Sequence, residues 1–108
     1  MQDLMQELEK QRADLKDAIK RLRQNGNLWA EAERDYQIAK AQAVLTMKDA
    51  GCSMTEINLR VKGEVADALF KRDTARVMYD SNMEYINVAK KDLQIRENQI
   101  AREWGNNG

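Results

Sequence analysis

The chain has 108 residues with no histidine, no proline and a single cysteine, and its 18 lysines and arginines balance 18 aspartates and glutamates. That balance leaves no net charge to draw the whole molecule onto nucleic acid or an anionic membrane, so an electrostatic partner has to be met by a local patch. Without histidine, and with Cys52 alone, the commonest general base, the commonest metal ligand and any internal disulfide are missing. These absences weigh against an enzyme, a zinc site or a bound cofactor, and none of the three is expected. A free cysteine beside a turn reads as a small packing residue rather than a reactive thiol.

Ala, Leu, Glu, Lys, Arg and Gln dominate the rest, which favours long helices. No charged-then-apolar leader opens the chain, and no apolar run approaches the ~20 residues of a membrane span. The expectation is one soluble intracellular domain over residues 1–104, followed by a flexible tail over 105–108.

In the first arm, predicted helical over about residues 2–50, Leu8, Leu15, Leu22, Trp29, Tyr36 and Ala43 recur every seven residues. Leu4, Ala18, Ala32 and Ala39 fill the companion position four residues earlier, and Met5 and Ile19 widen the stripe by one place. This is the seam of a helix laid against a partner helix. Asn25-Gly26-Asn27 interrupts it and has two readings: a left-handed cap ending one helix before Asn27 begins another, or a helix that runs through at a cost of about 1 kcal/mol for the glycine. Continuity is favoured, because the seven-residue phase carries from Leu22 to Trp29 without slipping.

The chain reverses between Asp49 and Glu64. Lys48, Ala50 and Gly51 read as a helix end with glycine just past it. Ser53-Met54-Thr55-Glu56 then reads as a capping box, with the Ser53 hydroxyl accepting from the Glu56 amide and the Glu56 carboxylate reaching back to Ser53. A short helix is predicted over about residues 54–62, turning Met54, Ile57 and Val61 one way with Leu59 off that face, and ended by Gly63. Two helices about a turn invite comparison with DNA-reading helix-turn-helix units. The following helix, however, opens with Glu64 and Asp67, which would meet phosphates of the same sign.

The second arm is predicted helical over about residues 64–104. Val65, Tyr79, Ile86, Leu93 and Ile100 share one heptad position, with Arg72 intruding. Ala68, Ala75 and Ala89 follow three places on, and Leu69, Met83 and Trp104 four places on. Trp29, Tyr36, Tyr79, Tyr85 and Trp104 read as packing residues. Arg72 has three open fates: to snorkel, to pair with an acid across the hairpin, or to meet a partner. The fold class is therefore all-α, an antiparallel long-helix hairpin, coiled-coil-like, with a short capping helix at its tip.

Both arms carry apolar residues off the seam near the reversal, and Leu28 is an early one. Ile38, Val44 and Leu45 on the first arm and Phe70, Val77 and Met78 on the second, with Arg72, make up a candidate surface for self-association or a protein partner. Farther from the turn lies a basic run. It comprises Arg12, Lys16, Lys20, Arg21 and Arg23, and if the arms pair so that facing residue numbers sum to roughly 114, its Lys20 to Arg23 end comes beside Lys90, Lys91 and Arg96 as a belt. Relieved only by Asp14 and Asp17, the run reads either as an ordinary solvated surface or as a patch for phosphates or an acidic partner, with nucleic acid the alternative ligand. No aromatic is interleaved to stack bases. Acid pairs such as Glu31 with Asp35 and Asp80 with Glu84 read as solvated helix faces rather than a two-carboxylate site.

Several stretches together carry a resemblance. They are Leu28-Trp29-Ala30-Glu31-Ala32-Glu33-Arg34-Asp35-Tyr36, the Ala50-Gly51 turn with Thr55-Glu56-Ile57 and Lys62-Gly63, Ala68-Leu69-Phe70-Lys71-Arg72-Asp73, Tyr79-Asp80-Ser81, Glu84-Tyr85-Ile86-Asn87 and the closing Gln99-Ile100-Ala101-Arg102-Glu103-Trp104. The chain resembles small helical proteins encoded in the early region of phages and prophages of Gram-positive bacteria, near recombination and single-strand-binding genes. The resemblance implies residence in the cytoplasm of a bacterial host and a part in phage DNA metabolism or host takeover. It implies no activity and no functional residues.

Overall fold

The computed structural model describes residues 2–106, all of them in three helices or in the turns that join them. Helix α1 spans Gln2–Asp49, α2 Met54–Glu64 and α3 Ala66–Asn106. The fold is an all-α antiparallel hairpin in which the long α1 and α3 pack against each other and the short α2 lies between them in the chain. The packing divides into two compact units. The turn unit is Asn25–Tyr79; the terminal unit comprises the described residues before Asn25 and after Tyr79.

Helix α1 passes through Asn25-Gly26-Asn27 without a break, as the conserved heptad phase requires. Its far end closes on a complete glycine cap. Gly51 adopts φ +84°, its amide donates to the Lys48 carbonyl at 3.0 Å, and the Cys52 amide donates to the Met47 carbonyl at 3.0 Å. This pair of bonds is the Schellman arrangement, and its usual hydrophobic clasp is present because Cys52 packs against the cluster containing Met47. Cys52 is thereby a packing residue of the turn.

Ser53 caps α2, its hydroxyl accepting from the Glu56 amide at 3.2 Å. Only this half of the capping box forms. The Glu56 carboxylate turns to Arg60 at 3.3 Å, and Arg60 also reaches Glu64 at 3.6 Å, so one guanidinium takes two i, i+4 carboxylates. Ile57 and Val61 are buried with Met47. Met54, expected beside them, is exposed, as is Leu59. Nor does Gly63 end the helix. The break comes two residues later at Val65 (φ −112°, ψ 20°) and is a one-residue kink, with Val65 donating to Val61 at 3.1 Å and Leu69 to Val65 at 3.0 Å.

That kink corrects the pairing register. Because α2 runs almost directly into α3, it belongs to the returning arm, and the reversal is centred on residues 50–53 instead of on the middle of α2. Arg12 faces Glu97 and Ala18 faces Asn82 in the terminal unit; Trp29 faces Tyr79 and Glu33 faces Arg72 in the turn unit. Each α3 partner sits about one to four helical turns earlier than a sum of 114 would place it.

In the terminal unit Leu8, Ala18, Ile86 and Ile100 are buried, and Asn82 bonds the Ala18 carbonyl at 3.1 Å. In the turn unit Tyr36, Met47, Ile57, Val61 and Val65 are buried. Trp29 and Tyr79 pack as a tilted aromatic pair, 5.3 Å between centroids with 43° between the ring planes. Two of the aromatics expected to pack do not: Tyr85 and Trp104 are exposed. Gly105 and Asn106, expected in a flexible tail, belong to α3; the remainder of that tail lies outside the described residues.

Candidate interaction surfaces

The apolar residues read as one surface separate into three environments. Phe70 is the most exposed of them at 71% and, with Met78, lines a groove of about 300 Å³ in the turn unit. Its other walls are Asn25, Leu28 and Ala32 from α1 and Lys71, Thr74 and Ala75 from α3. Val77 is exposed about two turns beyond Phe70 on the same helix face. Leu28, Ala32 and Ala75 thus complete a lining that the off-seam reading of Phe70 and Met78 did not assemble. Leu28 stood out in the sequence; the alanines, which look like seam residues, gave no separate signal.

Ile38 and Leu45 are exposed but elsewhere. They lie about 200° and 180° around α1 from buried Tyr36. They face away from the helix pairing and do not line the Phe70 groove. Val44 is not free surface: it packs against the cluster of Met47, Ile57 and Val61.

Arg72 takes the second of its three fates. Its guanidinium lies 4.4 Å over the Tyr36 ring, reaches Glu33 on α1 at 3.5 Å and holds Asp73 at 3.1 Å. Partial burial works against the charge, but Asp73, Glu33 and Tyr36 outweigh it and hold the guanidinium above the ordinary arginine value. The residue is a cross-helix tie, with its charge committed inside the fold. With Trp29, Glu33 and Arg76 it lines a separate groove of about 510 Å³.

The residues read as a basic belt do not all line one groove. Arg12, Lys16, Lys20 and Arg23 line a groove of about 630 Å³ on the flank of α1 in the terminal unit, with Leu15 and Ile19 as its apolar part and Gln24 at its end. Arg21, Lys90, Lys91 and Arg96 do not line it. Arg12 is paired to Glu97 at 3.3 Å, whereas Lys16, Lys20 and Arg23 make no ion pair with another described residue. Asp14, the nearest acid in sequence to Lys16 on the N-terminal side, lines a different groove with Gln11, Tyr85 and Asp92.

Among the described residues no group of three or more Cys, Asp or Glu is placed to hold a metal ion, and no helix is long and apolar enough to cross a membrane. The chain matches no protein-family model, no curated protein and no solved structure.

Proposed function

We propose that this chain is a non-enzymatic interaction protein of phage or prophage type, working in the cytoplasm of a bacterial host. In this reading it binds a protein of DNA replication, recombination or host defence and associates with copies of itself. The observation that carries the reading is Phe70, an aromatic 71% exposed beside an apolar groove walled by Leu28, Ala32, Ala75 and Met78. A large exposed aromatic next to an apolar recess is the composition of an interface centre, and it has no role in the hairpin's own core. The phage resemblance supplies the cellular setting, and nothing in the side-chain chemistry calls for catalysis.

The test compares the wild type with Phe70→Ser, first by sedimentation velocity and then by crosslinking and recovery from infected cells. The variant should keep its helicity and melting temperature, because the side chain is already in water, while losing both self-association and the recovered partner. A wild type that stays monomeric and recovers the same proteins as Phe70→Ser would sink the reading.

A further inference from the structure

Of the four cations of the groove in the terminal unit, only Arg12 has an ion-pair partner among the described residues. The groove's apolar part, Leu15 and Ile19, is accompanied by Arg12, Lys16, Lys20 and Arg23. Ile19 is 47% exposed although it sits among charged neighbours. An ordinary solvated flank would have carboxylates at i ± 4 drawing those cations in; here Lys16, Lys20 and Arg23 make no ion pair with another described residue.

Leu15 and Ile19 are four residues apart, as are Arg12, Lys16 and Lys20. Four residues of helix rise about 6 Å, so cations and apolar groups both repeat at that interval along α1. A second helix lying alongside has the same rise. If its own apolar residues and carboxylates recur at i, i+4, every one of its anions can meet a cation while its apolar stripe covers Leu15 and Ile19. A duplex backbone would match the charges but would bury Ile19 against phosphate, gaining nothing from it. We propose that this groove is a docking site for an acidic amphipathic helix of a protein partner. The site is independent of the Phe70 surface and stands or falls separately from it.

The probe is a fluorescein-labelled peptide of about six helical turns with leucines and glutamates each at i, i+4 spacing. It is set against a scrambled peptide of identical composition, a short DNA duplex and anionic phospholipid vesicles. Binding is followed by fluorescence anisotropy, and peptide helicity by circular dichroism. The helical peptide should bind the full-length protein at least about tenfold more tightly than the scramble and gain helix on binding. Ile19→Ser should weaken it by about tenfold with the slope against salt unchanged, since a half-exposed apolar contact is lost and no charge is. Lys16→Glu with Lys20→Glu should abolish it, with circular dichroism confirming that both variants remain folded.

Equal binding of the scramble would overturn the proposal, because charge alone would then suffice. It would equally be overturned by failure of the helical peptide to bind, or by tighter binding of duplex or vesicles. A preference for duplex that is indifferent to Ile19→Ser would mark a phosphate-binding surface instead.

Discussion

Gly51 and Gly26 differ in what their backbones and surroundings ask of them. Gly51 sits at φ +84° with open space where a Cβ would go, so an alanine there meets no clash but must occupy a left-handed conformation. Gly51→Ala should destabilise the protein by about 1–2 kcal/mol, seen as a lower urea midpoint with an unchanged slope. Gly26 is ordinary mid-helix backbone, and an added Cβ would rest 3.5 Å from the Tyr79 ring, a normal contact. Gly26→Ala should therefore stabilise by up to about 1 kcal/mol in the same assay. A Gly26→Ala variant that destabilises would mean the aromatic pair of Trp29 and Tyr79 needs more room than the geometry indicates. Arg72 is the other residue whose neighbours fix its role. Arg72→Lys should lower the melting temperature even though the charge survives, because a lysine ammonium cannot lie flat over Tyr36 while also bonding Glu33 and Asp73. If Arg72→Lys melts with the wild type, the stacked fork contributes nothing.

Among the elements, α2 decides the most. Its single fully buried side chain, Ile57, fills the cluster with Met47 and Val61 that joins the end of α1 to the start of the returning arm. Ile57→Ala should cost about 2–5 kcal/mol in chemical denaturation, whereas Leu59→Ala, at a position 80% exposed, should be close to neutral. Comparable losses at the two positions would show that α2 does not pack as described. The same element marks how far the sequence could be read. Gly51 and Ser53 act through hydrogen bonds a few residues away, so their caps were legible from the residues alone. The heptad of Leu8, Tyr36, Val65 and Ile86 likewise reports a local periodicity, and it gave the seam.

Register was less accessible, because it depends on which arm α2 joins. That is settled by a kink at Val65 where the sequence shows a glycine at 63 as the obvious stop. Once α2 is counted with α3, Lys20–Arg23 no longer stand directly opposite Lys90–Arg96, and Arg12 is the member of the run that meets that part of α3, through Glu97. Tyr85 and Trp104 misled for a related reason. Their residue types suit a core, but the buried position in their part of α3 is held by Ile86 and Ile100.

For the molecule as a whole, zero net charge and a sequence pI of about 6.3 mean that no long-range field governs its associations. Its two candidate surfaces then differ in kind. The Phe70 groove of the turn unit has one lysine in a mostly apolar lining, and the groove of the terminal unit combines Leu15 and Ile19 with four cations. Raising sodium chloride shortens the screening length from about 10 Å at 0.1 M to about 3 Å at 1 M. Attraction to cations is screened across that range, while burial of apolar surface is not. Self-association through Phe70, followed by sedimentation velocity, should accordingly persist or strengthen with salt, and capture of the acidic helical peptide should weaken steadily over the same titration. The variants cross-check the assignment: Phe70→Ser should remove the first behaviour and spare the second, and Lys16→Glu with Lys20→Glu should do the reverse. If self-association also fell with salt and was lost in the lysine variant, the cationic groove would be part of the contact between copies, and the two surfaces would have to be treated as one binding system.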